Sequence, residues 1–394
     1  MDLENTPSLK KPHPIPAMPP LIEGTSILNY TDHTHTPMQR IATQPKQTII
    51  CHTVDDFQAI KPIIHASLDS NTYWVIATTY EWGVSQQGII TDHPTAIFLA
   101  YDDVCIHPLP PHMGHPLPHP ITMASSWDAD RFTAAIDRVK SAIIEGDMYQ
   151  MNLSYPSEIQ GNTSINDIYH HMMHAHAPQH GAYIHAGPWK IASCSPEELF
   201  YLHRGRIRTR PIKGTIGRHS DPVADANAYQ TLVNSTKDMA ELTMITDLMR
   251  NDLSQCARPG SVKTTALNDI VPVNYVYHLM ATIEADILPK LNPLDTFIRL
   301  APGGSITGCP KPSASAYIQA IESGPRQFYT GHIGFIHGHH DAAFNVAIRT
   351  CYQQNDGPIM AHTGCGITID SDPVHEYIES QDKLRFLMSN PHAH

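Results

Sequence analysis

Three glutamates, one lysine and one arginine carry most of the chemistry this sequence can offer. Lys213 stands in RTRPIKGTIGR, residues 208 to 218, between Ile212 and Gly214. Proline at 211 removes a backbone donor and glycine at 214 loosens the chain, so the stretch reads as a strand end entering a loop. A lone lysine is usually a solvated charge; its neighbours decide whether it is instead an amine held still. Glu376 and Glu379 are three apart on an expected helix and project from one face. Glu241 belongs to another helix, whose apolar stripe of Met239, Leu242, Ile245 and Leu248 must face a core. Together, three carboxylates form a hard-oxygen site suited to Mg²⁺, which keeps several waters and takes few protein oxygens. Apart, an ExxE pair is a solvated helix face. PGGSITG and HTGCGIT offer backbone amides that bind anions. Arg349 offers a planar, permanently charged fork for a carboxylate. The set implies a ligand with more than one carboxylate beside a magnesium ion, without fixing a reaction.

Histidines invite a different metal. In YHHMMHAHAPQH, His170 and His174 are four apart, a spacing found in helical zinc sites. No glutamate of the HExxH kind lies between them and Pro178 closes the segment, so it reads as a polar helix end.

Composition narrows the classes. The chain has 394 residues, 41% hydrophobic and 16% charged, enough for one large or two ordinary domains with a sizeable core. A net charge of −12 and the lack of basic clusters exclude a polyanion binder, so no nucleic acid is expected. Seven scattered cysteines, never spaced CxxC, fit free thiols in a reducing compartment. MDLENTPSLKKPHPIPAMPP lacks the apolar stretch of a signal peptide, and no run of 18 apolar residues marks a membrane span. A cytoplasmic protein is expected.

The elements that must position the chemistry come in clusters. Up to residue 120, short β-like runs (TYWVIATTY, TAIFLAY) alternate with proline-rich loops, and HPLPPHMGHPLPHP, 107 to 120, excludes a helix or central strand. Next comes a helix striped by Ala134, Ile136, Val139, Ile143 and Ile144 and ended by Gly146, then a strand at MYQMNLSYPSEI. Two strands joined at HRGR lead to Lys213. A helix capped by Ser235 carries Glu241, and the PGGSITG loop precedes another helix. GHIGFIHGHHDAAFN reads as a hairpin, and PIMAHTGCGITI as a strand leading to a helix over DPVHEYIESQDKLRFLM. No repeat appears, and clustering rather than strict βαβ alternation gives an α+β class.

In order and spacing, SPEEL, RPIKGT, MAELTMITDLMRNDL, PGGSITGCPK, AIRT and GITIDSDPVHEYIESQDK resemble the chorismate-utilising enzymes, from about residue 125 to 388. Lysine in PIKGT, where anthranilate synthases typically have alanine, together with GDMYQMNLS, resembles the aminodeoxychorismate synthase branch. The resemblance implies a layered α/β/β/α sandwich, with residues 1–120 as a shortened N-terminal region completing it and 121–394 as the catalytic domain. It implies that Glu241 and Glu379 hold Mg²⁺ with Glu376 beside them, and that Glu197 in SPE is the general acid. Lys213 becomes the nucleophile toward ring carbon 2, or a general base for water if the isochorismate synthases are the better guide. Tyr329, Arg349 and the amides around Gly364 and Gly366 hold the enolpyruvyl carboxylate, with His278, Thr307 and Lys383 near ring and metal. The substrates implied are chorismate and ammonia, the latter from a separate glutamine amidotransferase subunit. Cys309 and Cys365 depart from the family by standing where alanine or glycine is usual.

Overall fold

The computed structural model describes residues 18–110, 113–273 and 276–388. Two antiparallel ten-stranded sheets stack face to face, with helices on both outer faces. This is the α+β sandwich the resemblance implied.

Strands that are apolar along their whole length build it. In Tyr73–Thr78 every residue is buried. Tyr73, Val75 and Ala77 join the core between the sheets, while Trp74 and Ile76 point outward into the core beneath the helices. Burying such a side chain stabilises the fold by about 1.5–3 kcal/mol. That burial on both faces explains why TYWVIATTY shows no polar–apolar alternation. The outer helices are fastened to this sheet by an aromatic column, Phe57–Trp82–Phe297–Phe344–Phe200, with centroid spacings of 5.1, 5.2, 4.1 and 5.3 Å.

Residues 26–108 extend both sheets. Ser26–Thr31, Pro37–Ala42 and Cys105–Pro108 close one sheet; Gln47–Cys51, Tyr73–Thr78 and Ala96–Tyr101 close the other. Cys105–Pro108 corrects the loop expected from 107 onward. Among the described residues it is an edge strand paired with Pro37–Ala42 alone, where proline needs no second neighbour. Residues 111 and 112 of that stretch lie outside the described residues.

The expected stripe on the helix Ala129–Ile144 is corrected too. Phe132, Ala135, Ile136, Val139 and Ala142 are buried, whereas Ala134 is exposed and Ile144 is 75% exposed. The 3.6-residue period starts from Phe132, leaving Ala134 on the far side. Gly146, at φ +86°, follows the helix end as expected. The last expected helix is shorter than the sequence suggested. Pro373–Asp382 is α-helical, and Lys383–Leu387 tightens into a 3₁₀ turn that buries Leu384, Phe386 and Leu387 against the helix Ile165–His176.

Candidate active site

Lys213 is not in a loop. It lies in the strand Ile212–Gly217, paired with Val276–Asp286, where the register slips: Ile212 faces Met280 but Thr215 faces His278. Lys213 and Gly214 together oppose Leu279, a bulge that bends the strand and re-aims its side chains. Gly214 takes φ +76°, and a Cβ there would stand 2.9 Å from Leu232 Cδ1 and 3.0 Å from Asp238. Glycine is therefore required, because an L side chain would be strained and crowded at once.

The bulge sends Lys213 into a cavity of about 530 Å³ between the ends of the two sheets. Lys213 Nζ lies 3.6 Å from Glu241 Oε2, and Lys237 Nζ lies 3.9 Å from the other oxygen of that carboxylate. Glu241 stands in the first turns of the helix Thr236–Ser254, which Ser235 caps by accepting from Asp238 N. Leu242, Ile245, Thr246, Met249 and Leu253 bury the adjoining face, with Met239 and Leu248 partly buried beside them.

Glu197 sits in the wall, buried, and its Oε1 accepts a 2.6 Å hydrogen bond from Ser305 Oγ. Burial raises its pKa, while the Ser305 hydrogen bond and the Lys213 charge pull it down. Ser305 belongs to the PGGSITG loop, which contributes Ser305 and Ile306 to the cavity. Leu248 and Asp252 leave no room for a side chain at Gly304, so the loop lies tight on the Glu241 helix.

His278 lines the wall and is held by a 2.8 Å hydrogen bond between Nδ1 and Thr215 Oγ1. Burial, with the charge of Arg349, drops its pKa to about 4, so the ring is neutral at physiological pH. Arg349 takes φ +50°, a conformation costly outside glycine, and no carboxylate pairs with it among the described residues. Its fork is therefore available to an anion in the cavity. Tyr329, buried, stacks on His362 at 5.3 Å, and burial pushes its hydroxyl to about 12. Gly364 and Gly366 form the floor. A Cβ at Gly366 would reach 2.7 Å from Gln150 Nε2 and 3.9 Å from Lys213 Nζ. Lys383 Nζ bridges Glu379 Oε1 at 2.8 Å and Gly364 O at 3.0 Å.

Two expected residues do not line the cavity. Thr307 is fully buried, and its hydroxyl donates to Gly303 O at 2.7 Å, so it shapes the loop rather than facing a ligand. Glu376 is partly exposed outside the cavity lining and accepts from Ser371 Oγ at 2.9 Å. Its carboxylate nevertheless falls within 4.8 Å of donor atoms of Glu379 and Cys365, a set that can hold a metal ion. Glu241 is outside that set but lines the same cavity as Glu379. Oxygen donors on two walls, with room between for water, suit the chemistry of Mg²⁺. Among the described residues His170 belongs to no such group; its ring stacks on His115 at 4.5 Å.

Sequence reasoning missed Asn152, Lys237, Asp238, Ser305, His362 and Thr363. Lys237 and Asp238 were legible, standing one helical turn before Glu241. Asn152 and His362 were not, since adjacent strands bring them in only through pairing.

A two-sheet sandwich with a lysine bulge, a buried acid and a carboxylate pair around one polar cavity defines a class of enzyme-like folds. The model of the chorismate binding enzyme family matches residues 40–389, and the chain belongs to that family. Among curated proteins it is 34% identical over 279 residues to aminodeoxychorismate synthase component 1 of Klebsiella aerogenes, covering 69% of this chain and 61% of that one. It is 35% identical over 275 residues to the Salmonella typhimurium protein of the same name, covering 68% and 60%. The matches thus span about three fifths of those relatives' length. Among solved structures, a putative 2,3-dihydroxybenzoate-specific isochorismate synthase from Bacillus anthracis superposes with a TM-score of 0.74 at 18% identity, covering 92% of this chain and 95% of that one. Anthranilate synthase component I from Streptococcus pneumoniae gives 0.72 at 19% identity, covering 97% and 95%. These likenesses establish the fold.

Proposed function

We propose that the protein is the chorismate-aminating subunit of an aminodeoxychorismate synthase, forming 4-amino-4-deoxychorismate from chorismate and ammonia. The observation that carries the reading is the lysine on a glycine bulge, aimed into the same cavity as the buried Glu197. Relatives named aminodeoxychorismate synthase component 1, at 32–35% identity, support this branch over the matched proteins named for anthranilate synthase, at 28–31%. It acts as a cytoplasmic enzyme, and all seven of its cysteines are free.

Arg349, beside Tyr329, takes the enolpyruvyl carboxylate in a charge-assisted, bidentate pair. The ring carboxylate faces Glu241 and Glu379, where bound Mg²⁺ supplies charge neutralisation and Lewis-acid polarisation. Glu197, whose protonated form burial favours, gives its proton to the departing 4-hydroxyl, since hydroxide is a poor leaving group. Lys213, its proton first passed to a neighbouring base, attacks ring carbon 2 through the amine nitrogen, and the shifting double bonds expel water from carbon 4. Ammonia then bonds to carbon 4, the bond between Lys213 and carbon 2 breaks, and the amine is restored. Neutral His278 adds no charge near the ring. The ammonia comes from a separate glutamine amidotransferase subunit, with free ammonium able to replace it in vitro.

The test is incubation of the purified chain with chorismate, Mg²⁺ and an ammonium salt at mildly alkaline pH, beside Lys213→Ala. Aminodeoxychorismate that falls at least ~100-fold with the substitution is the expected result. Anthranilate with pyruvate would assign the other aminating branch, and isochorismate would make Lys213 a base for water.

A further inference from the structure

His362 is the cavity residue that the proposed reaction leaves without a task. It lies in the strand Ile359–Ile367, whose pairing with Gln150–Gln160 keeps one register throughout. His362, Gly364 and Gly366 therefore share one face of the strand, and all three line the cavity. The two glycines leave the floor bare, so His362 is the first side chain to rise from it. Its ring is buried and stacks on Tyr329, with centroids 5.3 Å apart and planes 14° from parallel. A 2.9 Å hydrogen bond joins its Nε2 to the Tyr352 hydroxyl. Burial, with the charge of Arg326, drops its pKa to about 3, so the stacked ring stays neutral.

These contacts close into a circuit. Tyr352 packs on Phe328 at 6.0 Å, and Phe328 is the residue before Tyr329. Trp189 backs both, meeting Phe328 edge-on at 5.0 Å and Tyr352 at 6.4 Å. Tyr329 is thus fixed through its backbone by Phe328 and through its ring by His362. Its hydroxyl has no hydrogen-bond partner among the described residues, and burial keeps that hydroxyl a protonated donor. A hydrogen bond weakens steeply when its angle closes, and a donor already immobilised loses little freedom on binding. We propose that His362 is a positioning residue: its stacked ring sets the angle at which Tyr329 presents its hydroxyl to the ligand carboxylate beside Arg349, and Tyr352 holds His362 in place. The inference rests on the reading that chorismate binds with a carboxylate at Tyr329 and Arg349, but not on the amination assigned to the site.

The test is the chorismate affinity of the full chain, by calorimetry with Mg²⁺ and without ammonium, in a double-mutant cycle of His362 with Tyr329. His362→Leu, which removes the stacking ring, should weaken binding at least ~10-fold, and so should Tyr329→Phe. Combined, they should lose less than ~2-fold beyond either alone, because one acts through the other. His362→Phe keeps a ring against Tyr329 and should stay within ~3-fold of the parent chain. Tyr352→Phe, outside the cavity lining and gentler on the fold, should weaken binding by about 2–5-fold, and only while the Tyr329 hydroxyl is present. Losses that multiply in the double variant overturn the proposal, since His362 would then act on the ligand or the fold by itself. An unchanged affinity in His362→Leu overturns it too, as does a loss in His362→Phe equal to that in His362→Leu. Products formed with ammonium are scored separately. A coupled cycle in a protein that does not aminate chorismate sinks the functional reading and leaves this one standing.

Discussion

At the scale of single residues, the acid is the group whose surroundings are easiest to read. Burial favours the neutral form of Glu197, and the Ser305 hydroxyl and Lys213 ammonium favour the charged one. Its protonated form is the working form, so turnover should fall as pH rises through its raised pKa. Glu197→Gln should lower kcat by about 10²–10⁴-fold, with little change in KM, in steady-state kinetics with saturating ammonium. Ser305→Ala removes a contact that holds the pKa down, and should move the alkaline limb of the pH–rate profile upward. A limb that stays put, or moves down, would mean that Glu197 is not the group titrating. The residue types at this scale were readable in the sequence. Lys213, Glu197, Glu241, Arg349 and Glu379 are short-range motif residues, and the structure brings all five to one cavity. What could not be read is which side chains aim inward. Thr307 and Glu376 sit in the same motifs, yet one spends its hydroxyl on Gly303 O and the other takes a hydrogen bond from Ser371 outside the cavity lining.

At the scale of elements, the bulge does what a loop was expected to do. A loop would leave Lys213 free to sample solvent, whereas a bulge inside a paired strand fixes its backbone on both sides. Gly214→Ala should therefore cost about 1–3 kcal/mol in denaturant unfolding and lower turnover more than a change of stability explains. Normal activity at full stability would show that the bulge does not position the amine. A second element-level device is Glu81, on the helix Tyr80–Ser85, which accepts from Arg326 N at 2.7 Å and Gln327 N at 3.1 Å. It thereby holds the turn leading to Tyr329. Burial raises its carboxyl from an ordinary 4.5 to about 7, against the hydrogen bonds and Arg326 that favour its charge. Between those values the folded state keeps a proton the unfolded state has lost, so stability should decline as pH rises from about 4.5 to about 7. The window is worth roughly 3 kcal/mol at most, and Glu81→Gln should flatten it in urea titrations at successive pH values. An unchanged slope would remove Glu81 from the account.

At the scale of the whole molecule, the site depends on two sheets holding their relative position. Glu198, next in chain to the acid, faces the opposite side of its strand and takes a bidentate pair from Arg208, at 2.7 and 3.0 Å. Arg208 also donates to Thr31 O and Asp32 O, tying one sheet to the end of a strand in the other. Glu198→Ala leaves a buried guanidinium unpaired and should cost about 3–5 kcal/mol, measured by chemical denaturation. A loss under 1 kcal/mol would show that the sheets are held by apolar packing alone. The sequence by itself determined the class, the helices that carry Glu241 and Glu379, the Ser235 cap, the two hairpins and the residues able to do chemistry, because caps, turns and motif spacing are local. Tertiary structure decided the rest: that Cys105–Pro108 pairs as an edge, that PIKGT bulges rather than loops, and that Asn152 and His362 reach the cavity. Strand partners far apart in the chain settle each of these, and no local pattern in the sequence encodes which partner a strand will find.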